Sequence, residues 1–430
     1  MIIKNLKYFS YFCSMLINEK TWDFIRQHAN DDVRKLALQG AKDAEVDLQM
    51  ALQQIAGRQT ARRKLPSWAS VEDIVYPPHL NMEQCSSEQT ARYKRSFTPN
   101  PSPRGEGNSM FVDLTGGFGV DFFWLSQGFQ CRCFVERNEQ LCAISSHNFE
   151  VLRLECSVCC CDAVTYLNTM QHAGLIYMDP ARRNEHGGRT YGIEDCTPNV
   201  LELLPLLMEK ADRVLLKLSP MLDWRKAVDD IDHSPPTTHH PSPIVREVHI
   251  VSVDNECKEL LLLIDTKQTD GLRVVCVNLL SNGEQQVFET SGEQSPSPIT
   301  HHPLPTTRFL YEPNASIMKA GCFQEIEARF PVRQIAANSH LFLSIDEIGD
   351  FPGRGFQIMA ISPINKKKFS EILVSSGFPL ERANIAVRNF PLSADQLRKK
   401  LKMKDGGDVY IFATTMADGE HRLLICRKIG

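Results

Sequence analysis

Three acidic residues follow three successive segments of strand character, and a glycine-rich turn comes directly after the first. Asp113 ends the segment Met110–Asp113, Glu136 comes 23 residues later, and Asp162 another 26 residues later. The turn after Asp113 reads Thr-Gly-Gly-Phe-Gly, and an apolar helix-like segment follows it. Glycines let the backbone approach a ligand closely, and a helix start offers unpaired N–H groups. The pattern predicts a binding site for an adenosine-containing ligand.

The elements that must position these acids alternate between strand and helix, which predicts a parallel sheet. The predicted strands are Met110–Asp113, Cys131–Val135, Ser157–Cys161, Leu175–Met178 and Arg213–Leu218. The predicted helices are Val120–Gln127, Glu139–Leu154, Ala163–Met170 and Val200–Lys210. Each acid then lies at the carboxyl end of a strand, on one edge of the sheet.

Two further strands, Glu247–Val253 and Glu259–Ile264, are separated by a segment too short for a helical crossover. We therefore expect them to pair antiparallel. Five parallel strands followed by an antiparallel hairpin separate this sheet from a dinucleotide fold with six parallel strands. The order matches a Rossmann-like methyltransferase sheet, so the predicted cofactor is S-adenosyl-L-methionine.

Each residue of the predicted cofactor site has an expected role. Asp113 faces the methionine end of the ligand, Glu136 binds the ribose hydroxyls, and Asp162 accepts a hydrogen bond from the adenine amino group. An acid after a strand is also a common helix cap, so the prediction rests on three of them in register. The predicted cofactor-binding residues are Asp113, Thr115, Gly116, Gly117, Gly119, Glu136, Asp162 and Ala163.

The residues Asp179-Pro180-Ala181-Arg182 follow the fourth strand, beside the first strand, where open sheets bind ligands. We predict that Asp179 orients or deprotonates the group that is methylated and that Pro180 fixes the backbone. Arg182 is predicted to hold a phosphate. Lys217, at the end of the fifth strand, is a second-tier candidate on the same edge.

These residues resemble motifs I to IV of the class I S-adenosylmethionine-dependent methyltransferases. A closer resemblance is to the bacterial methyltransferases that carry a C-terminal THUMP-like domain. It is carried by the segments Met82–Glu88, Thr90–Lys94, Tyr311–Lys319 and Leu401–Thr414. The resemblance implies a methyltransferase core, a ferredoxin-like segment and a THUMP-like end. THUMP domains are RNA-binding modules, so it also implies an RNA substrate.

One departure from nucleic-acid amino-group methyltransferases concerns the acceptor atom. Those enzymes usually carry Asp/Asn-Pro-Pro followed by an aromatic residue, whereas Ala181 and Arg182 occupy the last two places here. No aromatic ring is therefore available at that position to stack on a target base. Nitrogen, carbon and oxygen all remain open as the methylated atom.

The predicted fold class is α/β, with an N-terminal helical region and a C-terminal α+β THUMP-like domain. We expect a helical and basic region over 1–107, of which 1–14 is a candidate start-codon artefact. The methyltransferase domain is expected over 108–290, the ferredoxin-like segment over 308–356 and the THUMP-like domain over 357–430. Within the first region, we expect Asn30 to cap a helix and Gly57 to end the helix that starts near Ala41.

Charge is distributed unevenly along the chain. Lys+Arg number 15 against 12 Asp+Glu in 1–107, 15 against 27 in 108–307, and 18 against 13 in 308–430. An acidic centre between basic flanks fits a catalytic domain with attached parts that bind a polyanion. The predicted RNA-binding residues are Arg92, Lys94, Arg95, Arg398, Lys399, Lys400 and Lys402, although a solvated helix face explains such clusters equally well.

The composition predicts a cytoplasmic protein. No stretch of about 18 apolar residues predicts a membrane span. The 14 cysteines do not form a framework typical of secreted proteins and are expected to be free. We expect no structural metal: the Cys-x-x-Cys at Cys156–Cys159 lacks a second pair, and two His-His pairs lie in Pro/Ser/Thr-rich stretches typical of surface loops.

Three alternatives to an RNA methyltransferase remain open. A nicotinamide-dependent oxidoreductase uses a similar glycine turn. A non-catalytic RNA-binding protein would retain the cofactor site as a vestige. A methyltransferase acting on small molecules would use the end domains only for assembly.

Overall fold

The computed structural model describes residues 17–98, 110–182, 192–233, 245–265, 271–291, 308–375, 377 and 381–429. The segment 1–14 and the two His-His pairs, His239-His240 and His301-His302, lie outside these residues. The chain divides into two compact units, Met1–Val248 with Glu259–Gly271, and His249–Lys258 with Leu272–Gly430. Among the described helices, none combines the length and the apolar character needed to cross a membrane.

The first unit begins with helices and continues with alternating strands and helices. Its helices are α1 Glu19–Gln27, α2 Val33–Gln39, α3 Leu48–Lys64, α4 Pro66–Ala69, α5 His79–Gln84, α6 Glu88–Lys94, α7 Val120–Leu125, α8 Glu139–Val151, α9 Ala163–Thr169, α10 Val200–Lys210 and α11 Trp224–Asp232. Its strands are β1 Met110–Asp113, β2 Cys131–Glu136, β3 Ser157–Cys160, β4 Ala173–Met178, β5 Ala181–Arg182, β6 Cys196–Thr197 and β7 Ala211–Leu218. Most of these helices start at a side chain that accepts from the first turn, as Asn138 does for α8.

Two long strands follow, β8 Val245–Val253 and β9 Glu256–Asp265. Within the sheet, neighbouring strands follow the order β9-β7-β4-β1-β2-β3. Strands β7, β4, β1, β2 and β3 run parallel, and β9 runs antiparallel to β7. Every residue of β4 is buried, as expected for a central parallel strand covered on both faces. The predicted fold class is confirmed.

The predicted antiparallel hairpin is confirmed, with longer strands and a tighter turn. Strands β8 and β9 are neighbours in the sheet and are joined by Asp254 and Asn255 alone. Both residues have positive φ angles, 46° and 67°. Such a pair suits a two-residue hairpin turn, because its twist matches the twist of the flanking strands.

Two predictions for the N-terminal helices are wrong. Asp32, and not Asn30, caps α2, because its carboxylate accepts from the backbone N–H groups of Arg34 and Lys35. Gly57 lies inside α3 instead of ending a helix. A Cβ atom there would lie 2.3 Å from the Cβ of Tyr76, so tertiary packing and not helix termination requires glycine.

The second unit contains four described helices and a seven-stranded sheet. Its further elements are β10 Arg273–Leu279, β11 Gln285–Thr290, β12 Phe309–Pro313, α12 Ala315–Ala320, α13 Phe323–Arg329, β13 Arg333–Gln334, β14 Phe342–Ser344, β15 Gly353–Pro363, α14 Lys366–Ser375, β16 Asn384–Arg388, α15 Ala394–Leu401, β17 Val409–Thr415 and β18 His421–Ile429. The sheet order is β13-β14-β12-β15-β18-β17-β16. The sequence did not predict β10, β11 or the long central strand β15.

Candidate functional site

The turn between β1 and α7 requires glycine at two of its positions. A Cβ atom on Gly116 would lie 2.2 Å from the Phe134 ring, and one on Gly119 would lie 2.5 Å from the Phe149 ring. Gly119 also has a φ of +84°, which side chains disfavour. Gly117 has a φ of +57°, and a Cβ atom on it would meet only the Thr115 carbonyl oxygen, at 3.9 Å. The turn therefore packs tightly on the aromatic core and presents only its Gly117 side openly.

Hydrogen bonds fasten this turn to the ends of both neighbouring strands. On one side, the Gly117 N–H donates to Glu136 Oε2 at 2.9 Å, at the end of β2. On the other side, the Asp179 N–H donates to Thr115 Oγ1 at 2.6 Å, directly after β4. The structure thus brings Thr115, Gly117, Glu136 and Asp179 together at the carboxyl edge of the sheet, as the sequence predicted.

Asp113 supports the turn from inside the protein. Its side chain is buried, and Oδ1 accepts from the Thr115 N–H at 2.9 Å. Burial raises the pKa of Asp113 well above its usual value, and the nearby carboxyls of Asp121 and Asp179 add to the effect. The carboxyl group shapes the turn, and its predicted approach to a ligand stays a prediction.

Asp162 caps helix α9, which is the alternative role that the sequence analysis gave for an acid after a strand. Its Oδ1 accepts from the N–H groups of Val164 at 2.9 Å and Thr165 at 3.3 Å. The residue is exposed, and Ala163 beside it is buried. Capping uses one carboxylate oxygen, so the predicted contact of Asp162 with an adenine amino group remains a prediction.

Asp179 forms an ion pair with Lys217, which the sequence ranked only as a second-tier candidate. The Lys217 ammonium lies 2.7 Å from Asp179 Oδ2, and the two side chains are 12% and 38% exposed. Burial raises the pKa of Asp179, while the Lys217 ammonium opposes the rise. Pro180 is buried, and the backbone of Arg182 belongs to β5, which pairs with β6. The side chain of Arg182 lies outside the described part of the chain.

Behind this pair lies a cluster of charges that sequence reasoning missed; we call it the buried charge cluster. Its members are Ser86, Lys94, Asp121, Lys217 and Glu259. The Ser86 hydroxyl donates to Asp121 Oδ2 at 2.7 Å, and the Lys217 ammonium donates to the hydroxyl at 3.0 Å. The Lys94 ammonium pairs with Glu259 and lies 3.1 Å from Asp121 Oδ1. These residues come from α6, α7, β7, β9 and the segment before α6, so no sequence spacing connects them.

The cluster holds Asp121 and Lys217 in their charged forms. Burial alone would raise the pKa of Asp121, but the Lys94 and Lys217 ammonium groups and hydrogen bonds from Ser86 and Tyr177 lower it. Burial alone would lower the pKa of Lys217, but the carboxylates of Asp179, Asp121 and Glu259 raise it well above its usual value. Lys217 therefore carries a positive charge at neutral pH.

Lys94 requires a correction, because its side chain is completely buried in this cluster. It cannot present its charge to an RNA backbone as predicted. Its neighbours on α6 differ: Arg92 is exposed, pairs with Glu88 at 2.7 Å and lies 4.6 Å from the Trp124 ring. Arg95 is exposed as well. Arg92 and Arg95 stay predictions as RNA-binding residues.

The basic group around α15 also divides into two kinds of residue. Arg398 forms ion pairs with Asp395 at 2.7 Å and Asp405 at 2.6 Å. Lys399, Lys400 and Lys402 are exposed. Their charges face solvent, so these three lysines carry the prediction of RNA binding in this region, and Arg398 contributes to the local structure.

The thirteen described cysteines are free thiols. Cys133 and Cys159 lie on neighbouring strands, and their sulfur atoms are 3.6 Å apart. No group of three or more His, Cys, Asp or Glu side chains within the described ranges could hold a metal ion.

Comparisons with known proteins cover nearly the whole chain. The C-terminal residues 353–428 match the model of a THUMP domain-like family, and residues 309–352 match that of a ferredoxin-like domain. A crystal structure of a protein described as a "putative methyltransferase" from Porphyromonas gingivalis W83 is similar to this chain, with 30% sequence identity and a TM-score of 0.79. The similarity covers 96% of this chain and 100% of the other.

Other solved structures are much less similar. A structure from Listeria monocytogenes, described as a "putative class i s-adenosylmethionine-dependent methyltransferase", has 8% identity and a TM-score of 0.38, and the similarity covers 61% of this chain and 93% of the other. TrmK from M. capricolum, solved with S-adenosyl-homocysteine, has 10% identity and a TM-score of 0.30, and covers 42% and 68%. None of the curated proteins compared matches the chain.

Proposed function

The chain belongs to the class I S-adenosylmethionine-dependent methyltransferases with a C-terminal THUMP-like domain, the family of the Porphyromonas gingivalis protein, and on that premise we propose that it methylates a nucleotide of RNA. The domain division predicted from the sequence, at 107, 290 and 356, is retained as part of this proposal.

One observation carries the proposal: the glycine turn is hydrogen bonded to Glu136 on one side and Asp179 on the other. A cofactor seated on the turn would have the ribose-binding acid at one end and the acceptor-site acid at the other. Glu136 accepts from Gly117 and Asn138, and its remaining lone pairs are available to two ribose hydroxyls. We assign the cofactor site to the predicted residues Asp113 to Gly119, Glu136, Asp162 and Ala163.

When bound, S-adenosylmethionine supplies an electrophilic methyl group on a sulfonium. The protein must then hold the acceptor in line with that methyl group, and such positioning accounts for much of the acceleration. Asp179 lies where it could accept a hydrogen bond or a proton from the acceptor. Pro180, buried behind it, restricts the backbone there.

The RNA substrate is supported by the THUMP-like match and by exposed cations. THUMP domains bind RNA, and the match covers the residues of α15 with Lys399, Lys400 and Lys402. Arg92 and Arg95 are further exposed cations on the first unit. Such groups neutralise backbone phosphates without reading sequence.

The direct test incubates purified protein with radiolabelled S-adenosylmethionine and RNA from cells that lack this protein. We expect label in the RNA fraction. Glu136→Ala should weaken cofactor binding measured by titration calorimetry, since it removes the acceptor for the ribose hydroxyls. Glu139→Ala, in the exposed first turn of α8, is the matched control.

Other outcomes would separate the alternatives. Absence of any affinity for S-adenosylmethionine would contradict the proposal, and a fluorescence change with NADH would favour an oxidoreductase. Label that appears only in small metabolites would favour a small-molecule methyltransferase. A biological function that survives Asp179→Ala would favour a non-catalytic RNA-binding protein.

A further inference from the structure

The atom that receives the methyl group is left open by the sequence, but the surroundings of Asp179 discriminate between acceptor chemistries. Asp179 is the most exposed carboxylate of its ion-paired group, with 38% of its side chain exposed. The Lys217 ammonium lies 2.7 Å from its Oδ2, at the edge where the acceptor would bind. An acceptor that contacts this carboxylate therefore also meets a positive charge.

The buried charge cluster is built to keep that charge on Lys217. The ammonium lies 3.0 Å from the Ser86 hydroxyl and 3.4 Å from Asp121 Oδ2. Lys94 occupies the deeper side of the cluster, between Asp121 and Glu259. Three carboxylates, with Asp179 included, face two ammonium groups, so loss of a proton from Lys217 would leave three buried or half-buried anions with one cation.

A permanent ammonium fits a hydroxyl acceptor and opposes an amine. An amine nitrogen gains positive charge as it attacks the methyl group, so a neighbouring cation would raise the barrier. A hydroxyl oxygen gains negative charge as its proton leaves, and an ammonium aimed at that oxygen stabilises it.

A carbon acceptor does not fit the described residues either. Carbon atoms of pyrimidine rings need a thiolate or similar nucleophile to activate them. Cys85 is the described thiol next to the cluster in the chain, and its Sγ donates to the Met82 carbonyl at 3.3 Å. Burial raises the pKa of Cys85 to about 11, so it stays a thiol at neutral pH.

We propose that the acceptor is a ribose 2′-hydroxyl of the RNA, and that Lys217 is a catalytic residue that donates a hydrogen bond to the reacting oxygen. The inference rests on the proposed function, because within an RNA strand the free hydroxyl of a nucleotide is the ribose 2′-OH. The 2′ oxygen forms a bond to the methyl carbon, and the carbon–sulfur bond breaks with its electron pair left on sulfur. The hydroxyl proton passes to the Asp179 carboxylate and then to water. The products are a 2′-O-methyl nucleotide and the neutral thioether S-adenosylhomocysteine.

The remaining members of the cluster act through Lys217 and are positioning residues. Asp121 accepts hydrogen bonds from Ser86 at 2.7 Å and from the Tyr177 hydroxyl at 2.7 Å, which fixes its carboxylate beside Lys217. Lys94 and Glu259 neutralise each other behind it. Of the three hydrogen bonds that the Lys217 ammonium donates, the one to Asp121 Oδ2 is the longest, at 3.4 Å, so its N–H group is the one that the reacting oxygen would take over.

The decisive experiment is nucleoside mass spectrometry of RNA from cells without this protein, complemented with wild type or with variants. We expect one 2′-O-methylated nucleoside to disappear in its absence and to return with wild type. Lys217→Met and Lys217→Gln should not restore it, with transfer reduced roughly 100-fold or more. Lys226→Met, an exposed lysine on α11 with its own ion pairs, is the matched control and should restore it.

The outcomes distinguish this inference from the proposed function. A nucleoside methylated on its base would overturn the ribose assignment and leave an RNA methyltransferase standing. No change in any RNA would overturn both. Full transfer by Lys217→Gln would overturn the role of Lys217. Cofactor affinity of the Lys217 variants, measured by calorimetry without RNA, should stay within about threefold of wild type, because we place Lys217 at the acceptor and not at the cofactor.

Discussion

The two units each contain a buried group of opposite charges, and the groups differ in which charge faces solvent. In the first unit both cations are buried together with two of the three carboxylates: Lys94 is not exposed at all, Lys217 is 12% exposed, and only the Asp179 carboxylate, at 38%, is well exposed. In the second unit the anion is buried: Glu312 is 2% exposed, whereas Arg354 and Arg388 are 40% and 36% exposed.

The hydrogen bonds of the two groups also differ. Glu312 Oε2 accepts from Arg354 Nε at 3.0 Å, and Oε1 accepts from Arg388 Nη2 at 2.6 Å. Guanidinium groups with several fixed donors thereby connect β12, β15 and β16 through one carboxylate. We conclude that the Glu312 group stabilises a sheet, since solvated arginines surround a saturated anion. The first unit instead leaves a carboxylate and an adjacent cation at a surface edge, which is an arrangement suited to chemistry.

Removing a buried cation should lower the free energy of unfolding more than any other substitution that we propose. Lys94→Met would leave Asp121 and Glu259 buried with only Lys217 to compensate, so we expect a loss of about 3–5 kcal/mol in the unfolding free energy of the first unit. Urea denaturation followed by intrinsic fluorescence measures it. Lys226→Met should cost at most about 1 kcal/mol, because its ion pairs are exposed. Equal losses for the two variants would contradict the comparison.

Removing the buried anion of the second unit should cost less. Glu312→Gln removes the negative charge that Arg354 and Arg388 share, but both arginines are exposed enough to be hydrated, so we expect a loss of about 1–3 kcal/mol in the unfolding free energy. The affinity for S-adenosylmethionine should not change. A cofactor affinity that falls with this substitution would show that the Glu312 group does more than stabilise its sheet.

Asp113 is a buried carboxyl group whose neighbouring charges are anions. Its contribution to the stability of the folded state should therefore depend on pH. Its folded pKa lies above the usual value, so the folded state keeps the proton over a pH range in which the unfolded state loses it. Wild-type stability should therefore fall, relative to Asp113→Asn, as the pH rises from about 4 through the folded pKa. Melting temperatures of both proteins between pH 4 and 8 test this, and a difference that stays constant with pH would contradict it.

The smallest effect concerns the basic residues of α15. Lys399→Ala with Lys400→Ala should lower the salt dependence of RNA binding by a slope of roughly two, since each removes about one phosphate contact. Arg398→Ala should change the slope less, because Asp395 and Asp405 already neutralise Arg398. Filter binding at several salt concentrations measures both. A larger slope change for Arg398→Ala would reverse our division of this cluster.

Features with a local cause could be predicted from the sequence. Helix α10 has the predicted bounds, because apolar periodicity depends on neighbouring residues. The glycine turn, the acids that end β1 and β2 and the acid that follows β4 were found for the same reason. The parallel orientation of the strands then follows from their alternation with helices.

Long-range packing accounts for what the sequence did not predict. Gly57 has the local features of a helix end, but α3 continues through it, and glycine is needed there because Tyr76 fills the space that a Cβ atom would occupy. Lys94 has the local features of a surface cation on α6, and only the folded chain places Asp121 and Glu259 beside it. The same holds for Lys217: the sequence by itself determined the sheet, the turn and Asp179, whereas the tertiary structure decided which charges meet there. The physical reason is that an ion pair depends on distance in space, and the partners of Lys94 and Lys217 lie up to 165 residues away along the chain.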